Sequence, residues 1–513
     1  MIPGARLRIG CALQPSPPDW LEHIAQLHPE FGRDPHPEGE GRDAGPAAHA
    51  VAVFRFGLLA SRSRAGYLWA LTTEFASRKE RIRQMDRVVE TLSNQNHDLR
   101  ASRVDKRRRL QQSIVHMFKK PLKTVLAAAV LLLTLSACGT NVPRLDDAPV
   151  NSYATPVGYH GIRYWGDAEL KKLNEASAER LTELKAAHKA DPTIPLDHAY
   201  YLAISGGGGD GAFGAGILNG WTKAGTRPKF EVVTGISTGA LSAPYAFLGS
   251  DYDDKLKEIY TTINDNDVMK KKGAISGVFG SSMTDNSPLK ALVAKYVTQD
   301  LVDKIAIEGG KGRRLLVGTT NLDAQRPVVW DMTAIAASGN PDRLQLFRDV
   351  LVASAAIPGV FPPQLIKVTA DGKLYEELHV DGGTTTQAFL VSAQNSLKEV
   401  DKALKFPRKR SLYIIMNGSF APQAEKTETK TLAIAARSIS TLIKNQSIGD
   451  AYRMYAQCQK DDVAFNLTSI PNDFTMKAKS EFDTAYMKAL YQRGYQMGQT
   501  PAAWDKEPPD YDR

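Results

Sequence analysis

Residues 201–218, "YLAISGGGGDGAFGAGIL", set four consecutive glycines between an apolar run and a run with helical spacing. Glycine disfavours both helix and strand, so a tetraglycine at such a junction implies that something approaches the backbone closely there. A second junction of the same kind follows at 234–241, "TGISTGAL", where Ser237 sits in a G-x-S-x-G pattern between a predicted strand and a predicted helix. Small residues on both sides of Ser237 permit the sharp turn that lifts a serine hydroxyl to the top of a sheet. The helix start behind it favours negative charge.

Working outward, "AYYLAI", "FEVVTG", "RRLLVGTTNL" (313–322), "LYEELHVDGG" (374–383), "SLYIIMNG" and "VAFNLTSI" have the composition of strands. Between them "AFGAGILNGWTKAG", "ALSAPYAFLG", "LQLFRDVLVASAAIPGVFPP" and the stretch 430–460 have the spacing of helices. This alternation predicts an α/β fold, a three-layer sandwich with a mostly parallel central sheet. "DAELKKLNEASAERLTELKAAHKA" (167–190) predicts an amphipathic helix laid on that core.

The glycine loop has two candidate ligands, a phosphate or the oxyanion of an acyl transfer. Gly206, Gly208 and Gly211 do spell G-x-G-x-x-G after a strand, but Glu231 opens the next strand instead of closing it. That is the wrong end for a ribose hydroxyl, and no G-K-[ST] follows a glycine run. A serine nucleophile also needs a base. Of the ten histidines only His379 follows Ser237, inside "ELHVDGG", two residues before Asp381. A Ser-His esterase or peptidase of α/β-hydrolase type would have to use that one imidazole. Asp381, at a strand end and followed by two glycines, is the better candidate. A carboxylate buried beside a serine has its pKa raised by desolvation, so activity is expected to fade on acidification without a histidine-like titration.

Taken in order, "GGGGDG", "GISTG", "ASAAIPGVFPP" and "DGG" resemble the patatin-like phospholipases over roughly residues 199–395. The resemblance implies a patatin-like fold and a lipid ester substrate, cleaved by a Ser-Asp dyad through an acyl-serine with no cofactor or metal. By motif, Ser237 is then the nucleophile, Asp381 the general base, and Gly207, Gly208 and Gly209 the backbone donors of the oxyanion hole. One position departs from the family, where Arg or Lys commonly precedes the last glycine of the loop; here it is Asp210. Asp210 is expected to cap the helix starting near Ala212. Ile357, Val360 and Phe361 of "ASAAIPGVFPP" are expected to pack and form a rigid turn, and could also line an acyl channel. Residues 396–513 are expected to extend the same domain. The alternative outside enzymes is a non-catalytic lipid-binding envelope lipoprotein.

The formal charge of +9 does not point to nucleic acid, because it is unevenly placed. Residues 1–116 carry +5, residues 117–138 +3, and everything from Gly139 onward only +1. The three cysteines, Cys11, Cys138 and Cys458, have neither metal-ligand spacing nor an even framework. In "MFKKPLKTVLAAAVLLLTLSACG" (117–139), three lysines precede a short apolar run and then Ser136-Ala137-Cys138. That is the layout of a secretory signal, and Leu135 to Cys138 resembles a bacterial lipoprotein box with Cys138 as the lipidated residue. The expected place is the cell envelope, with a lipid anchor on the outer membrane facing the periplasm and 139–198 as tether and first helix. Residues 1–116 hold 16 arginines and 2 lysines against 15 and 32 in the rest, which suggests a start at Met117 with the preceding segment not translated. The run "KKK" at 270–272 is expected in a solvated loop, with anionic lipid as the sharper alternative.

Overall fold

A computed structural model describes residues 144–149, 154–169, 173–271, 282–390 and 394–509. The extension 1–116, the segment 117–138 with Cys138, and Lys272 lie outside the described residues.

Ten strands form the main sheet among the described residues. They are β1 (Thr155–Pro156), β2 (Arg163–Trp165), β3 (His198–Ile204), β4 (Val232–Ile236) and β5 (Arg314–Asn321). The others are β6 (Arg326–Asp331), β7 (Gln364–Ala370), β8 (Lys373–Asp381), β9 (Lys409–Met416) and β10 (Ala464–Ser469). The centre runs β5-β4-β3-β9-β10, all parallel. Beside β5 the pairing reverses, with β8 and β6 antiparallel to it and β7, β1 and β2 continuing outward. The sheet is thus mostly parallel at its core with an antiparallel wing.

The parallel strands are buried on both faces, which is why they are legible as unbroken apolar runs. In β3, Leu202 and Ile204 join the core on one side while Tyr201 and Ala203 join the core on the other. The wing strands do not read so clearly. In β7 only Ile366, Val368 and Ala370 are buried, and β6 contains Pro327.

Helices cover both faces. α1 (Leu173–Ala190) buries Leu184 and is tied by Arg180 to Glu231 and by Glu183 to Arg314, so it packs on the fold. Glu231, the residue considered for a ribose, is instead held between Arg180 and Arg408. α2 (Gly211–Lys223) follows the glycine loop and α3 (Thr238–Leu248) follows Ser237. α4 (Arg343–Ser354) precedes the apolar turn, α5 (Thr431–Lys460) lies on the opposite face, and α6 (Thr484–Gly498) closes the chain. The described part of the lysine run is not a loop. Lys270 and Lys271 pair as a short strand with Thr284–Asp285, because the backbone there finds ladder partners.

α6 docks on α2 through glycines from both helices. A Cβ on Gly216 would lie 2.2 Å from the Tyr491 carbonyl oxygen, and one on Gly220 2.1 Å from that of Tyr495. Reciprocally, a Cβ on Gly494 would meet the Phe213 carbonyl at 2.4 Å and one on Gly498 the Ile217 carbonyl at 2.3 Å. The two backbones therefore touch, and α6 fixes the helix that carries the glycine loop. Gly216→Ala or Gly494→Ala is expected to lower the melting temperature through overpacking worth about 1–3 kcal/mol. Gly449→Ala, where nothing crowds the new methyl, leaves it unchanged or raises it.

Candidate active site

Ser237 stands between β4 and α3 with φ 53° and ψ −124°, a conformation that non-glycine residues rarely adopt. Its flanking glycines explain how the turn closes. A Cβ on Gly235 would sit 2.4 Å from the Gly239 carbonyl, and one on Gly239 2.2 Å from the Ile204 carbonyl. The G-x-S-x-G pattern is therefore a packing requirement between strand end and helix start. The turn is pinned from outside by Ser354: the Ser237 N–H donates to Ser354 Oγ at 3.0 Å, and that hydroxyl donates to the Gly318 carbonyl at 2.7 Å.

Asp381 ends β8, two sheet positions from Ser237's strand, with β5 between them. Its own N–H donates to the Ala356 carbonyl at 2.9 Å. Oδ1 accepts from the Gly383 amide at 2.7 Å, while Oδ2 is buried with no hydrogen-bond partner. Burial pushes the Asp381 carboxyl up to about 7, opposed by the nearby Ser237 hydroxyl and the Gly383 amide. Ser237 and Asp381 are thus brought together, yet no hydrogen bond is closed from the hydroxyl to Oδ2. Catalytic contacts often tighten only around substrate. The rise by burial is the direction expected from sequence, and with no cationic partner it brings this carboxyl to about 7, the range where a histidine titrates.

His379 is held elsewhere. It is fully buried, with Nε2 3.0 Å from Glu377 Oε2 and Nδ1 2.9 Å from Thr319 Oγ1. Burial would raise the Glu377 carboxyl, but the bonds from Arg163 and His379 hold it at about 2, so it is ionised at neutral pH. Nε2 then carries the proton and Nδ1 accepts from Thr319. Burial lowers the His379 pKa against the pull of Glu377, which keeps the ring neutral. Both ring nitrogens are occupied, and neither faces Ser237 as an acceptor.

The glycine loop lies against the serine. A Cβ on Gly206 would be 3.2 Å from Ser237 Cβ. Gly207 has φ 150° and Gly208 φ 54°, and a Cβ on Gly207 would fall 2.1 Å from the Asn417 carbonyl. Asn417, just past β9, braces the loop with three bonds: its N–H to Ser205 Oγ, its Nδ2 to the Ser205 carbonyl, and its Oδ1 from the Gly214 amide. Gln387 does the same from the aspartate side, accepting from Gly206 N–H and donating Nε2 to the Gly383 carbonyl. Gly208–Asp210 form a 3-10 turn leading into α2, and its first amides have no protein acceptor among the described residues, as at any helix start. Gly207 is exposed and Gly208 and Gly209 are buried.

Asp210 does not cap α2. Its backbone is already helical, continuing the 3-10 turn, so its side chain is not swung back over the first amides. Instead Oδ1 accepts from the Tyr486 hydroxyl at 2.7 Å. Burial pushes the Asp210 carboxyl up to about 7, helped by Glu481 and opposed by the Tyr486 bond. Glu481 itself leans on the loop: a Cβ on Gly208 would lie 2.0 Å from its Oε1, and one on Gly209 2.4 Å from its carbonyl oxygen. The residue is solvent-exposed as a whole while its carboxylate is turned against Gly208.

In "ASAAIPGVFPP", Phe361 is buried and Ile357 and Val360 pack partly against the core, as expected. The segment also does what its composition did not announce, since Ser354 holds Ser237 and Ala356 holds Asp381. Sequence reasoning missed Ser354, Gln387, Asn417 and Glu481. A cavity lies on the α5 side of the sheet, lined by Leu390, Leu412, Met454 and Cys458, and neither Ser237 nor Asp381 borders it.

Residues 202–392 match the family model of the patatin-like phospholipases. No curated protein is matched. Among solved structures the chain is similar to VipD from Legionella pneumophila, with 11% identity and a TM-score of 0.29 over 60% of this chain and 67% of that one. It is also similar to human GIVD cytosolic phospholipase A2, with 10% identity and a TM-score of 0.23 over 61% of this chain. Of that second protein the match spans about half, 55%. Residues 202–392 of this chain, which run from within β3 past the turn after Asp381, are thus the part that matches a patatin-like phospholipase domain.

Proposed function

We propose that this protein is a lipid acyl hydrolase in which Ser237 is the nucleophile and Asp381 the general base. The observation that carries the reading is the buried, unpartnered Oδ2 of Asp381 beside a serine held at a strained turn. Ser237 Oγ forms a bond to the ester carbonyl carbon as Asp381 takes its proton. The Gly207, Gly208 and Gly209 amides face the oxygen that becomes negative, and losing one such donor typically costs ~3 kcal/mol. The carbon–alkoxide bond then breaks and Asp381 returns the proton to the leaving alcohol. Asp381 next takes a proton from water, whose oxygen attacks the acyl-serine; the acyl carbon–Oγ bond breaks, Asp381 returns the proton to Ser237 Oγ, and the fatty acid leaves.

The loop's surroundings bear on the substrate class. Asp210 stands where the family commonly has a cation, and the Glu481 carboxylate lies against Gly208. Two carboxyl groups there disfavour an anionic phosphate next to the scissile ester. A neutral lipid ester fits better. Cys138 supplies the anchor in this reading, placing the enzyme in the bacterial envelope, on the outer membrane facing the periplasm.

Ser237→Ala and Asp381→Asn are expected to cut kcat/KM on a long-chain ester by roughly 10³-fold or more. His379→Ala should keep kcat within about tenfold while lowering the melting temperature, because its Thr319 and Glu377 bonds are structural. An equal loss in His379→Ala and Ser237→Ala would contradict the dyad. The pH profile has a defined sign. The base acts ionised, so kcat/KM should be flat above pH 8 and fall tenfold per unit below about pH 7, with the same inflection in His379→Ala. A plateau persisting to pH 5 would contradict it.

A further inference from the structure

α5 is thirty residues long, but only its second half belongs to the core. Ile448, Asp450, Ala451, Met454 and Cys458 are buried, whereas no residue whose burial is described between Thr431 and Ser447 is. The two halves meet at the level of the active site. The Asp450 carboxylate accepts from the Gln387 amide at 2.6 Å, and Gln387 bonds both Gly206 and Gly383. From that level α5 runs down the sheet to β10, antiparallel to β9 and β10. Its first half therefore continues beyond the strand ends that carry the glycine loop and Ser237. At 1.5 Å per residue, Thr431 lies roughly 28 Å past Asp450.

This projecting half has two faces. One is held to the chain leaving β9, by Arg437 to the Gln423 carbonyl and by Lys444 to the Ala421 carbonyl. The other carries Ala435, Ala436, Ile439, Leu442 and Ile443, at spacings of one, four, seven and eight residues from the first, all exposed. Leu442 is 69% exposed and Ile439 50%. Residues 429–449 contain Lys430, Arg437 and Lys444 and no acidic residue, while Glu428 and Glu425 of the chain just before them pair with Lys430 and Arg437. An apolar stripe on an acid-free cationic helix has the composition of a segment lying in the plane of a lipid surface.

We propose that residues 431–447 dock on a phospholipid surface, immersing the Ile439–Leu442–Ile443 stripe and holding the open end of the catalytic sheet toward the bilayer. The inference deepens the reading of a lipid ester substrate, since that substrate resides where the stripe would be buried. Charge favours an anionic surface over a second copy of the helix: residues 421–449 hold Lys426, Lys430, Arg437 and Lys444 against Glu425 and Glu428, and a second copy would double that positive excess.

The test is hydrogen exchange with mass spectrometry on the full chain, with and without phosphatidylcholine–phosphatidylglycerol vesicles. Local readout matters because a separate anchor could hold the protein on the vesicle. The expected result is about tenfold slower exchange in peptides covering 431–447, lost in an Ile439→Glu/Leu442→Glu variant. That variant should also lose about tenfold in turnover of vesicle-borne ester while hydrolysing soluble 4-nitrophenyl butyrate as before. Unchanged exchange at 431–447 on vesicle addition overturns the proposal. So does protection that needs no vesicles and grows with protein concentration, which would mean that a second copy covers the stripe. Exchange does not depend on turnover, so failure of the hydrolase reading would show separately, as ester cleavage that survives Ser237→Ala or never occurs.

Discussion

Ser354 and Ala356 sit two residues apart and each holds one member of the proposed dyad by its backbone amide. Ser354 accepts from Ser237 N–H and its hydroxyl donates to the Gly318 carbonyl on the strand between β4 and β8. Ala356 accepts from Asp381 N–H. One turn of chain thus sets the separation of two groups that come from different strands. A backbone in a sparsely populated region costs of order 1–3 kcal/mol and survives only where its surroundings over-determine it. Here Gly235 and Gly239 packing on one side and the Ser354 bond on the other supply that constraint.

Asp381 carries a second cost. Its folded pKa is raised from 3.8 to about 7 by burial, so the folded state holds a proton that the unfolded chain would release. The stabilisation linked to that proton is complete below the unfolded value and is lost as pH rises through about 7. Three units correspond to about 4 kcal/mol, an upper figure for a fully buried group. The site is therefore less stable in the pH range where it would work, and the surrounding braces from Asn417, Gln387 and Asp450 offset this. The projecting half of α5 joins the same frame at Asp450, whose carboxylate accepts from the Gln387 amide.

Much of this was legible in the sequence where the cause is local. G-x-S-x-G and D-G-G each answer a contact within a few residues of themselves or with an adjoining strand, so their composition announces them, and the tetraglycine announces a close approach without saying what makes it. The five parallel strands were equally plain because both of their faces are buried. Of the antiparallel wing only β8 was, since β7 alternates buried with half-buried or exposed positions and β6 includes a proline. Asp210 misled because capping is argued from type and position, while the preceding 3-10 turn had already given it helical angles. Asn417 and Glu481 act across more than two hundred residues, and no local pattern marks them. Ser354 did leave a signal: a lone hydroxyl in an apolar run, buried completely, needs partners on both sides.

The central claim is that the Ser237 hydroxyl is activated by Asp381 and by no imidazole. Its most direct measurement is the rate of fluorophosphonate attachment as a function of pH, with the modified peptide identified by mass spectrometry. The account predicts modification at Ser237, governed by a single ionisation near pH 7 that disappears in Asp381→Asn and is untouched in His379→Gln. Modification at another residue, or an ionisation that disappears with His379 and not with Asp381, would contradict it.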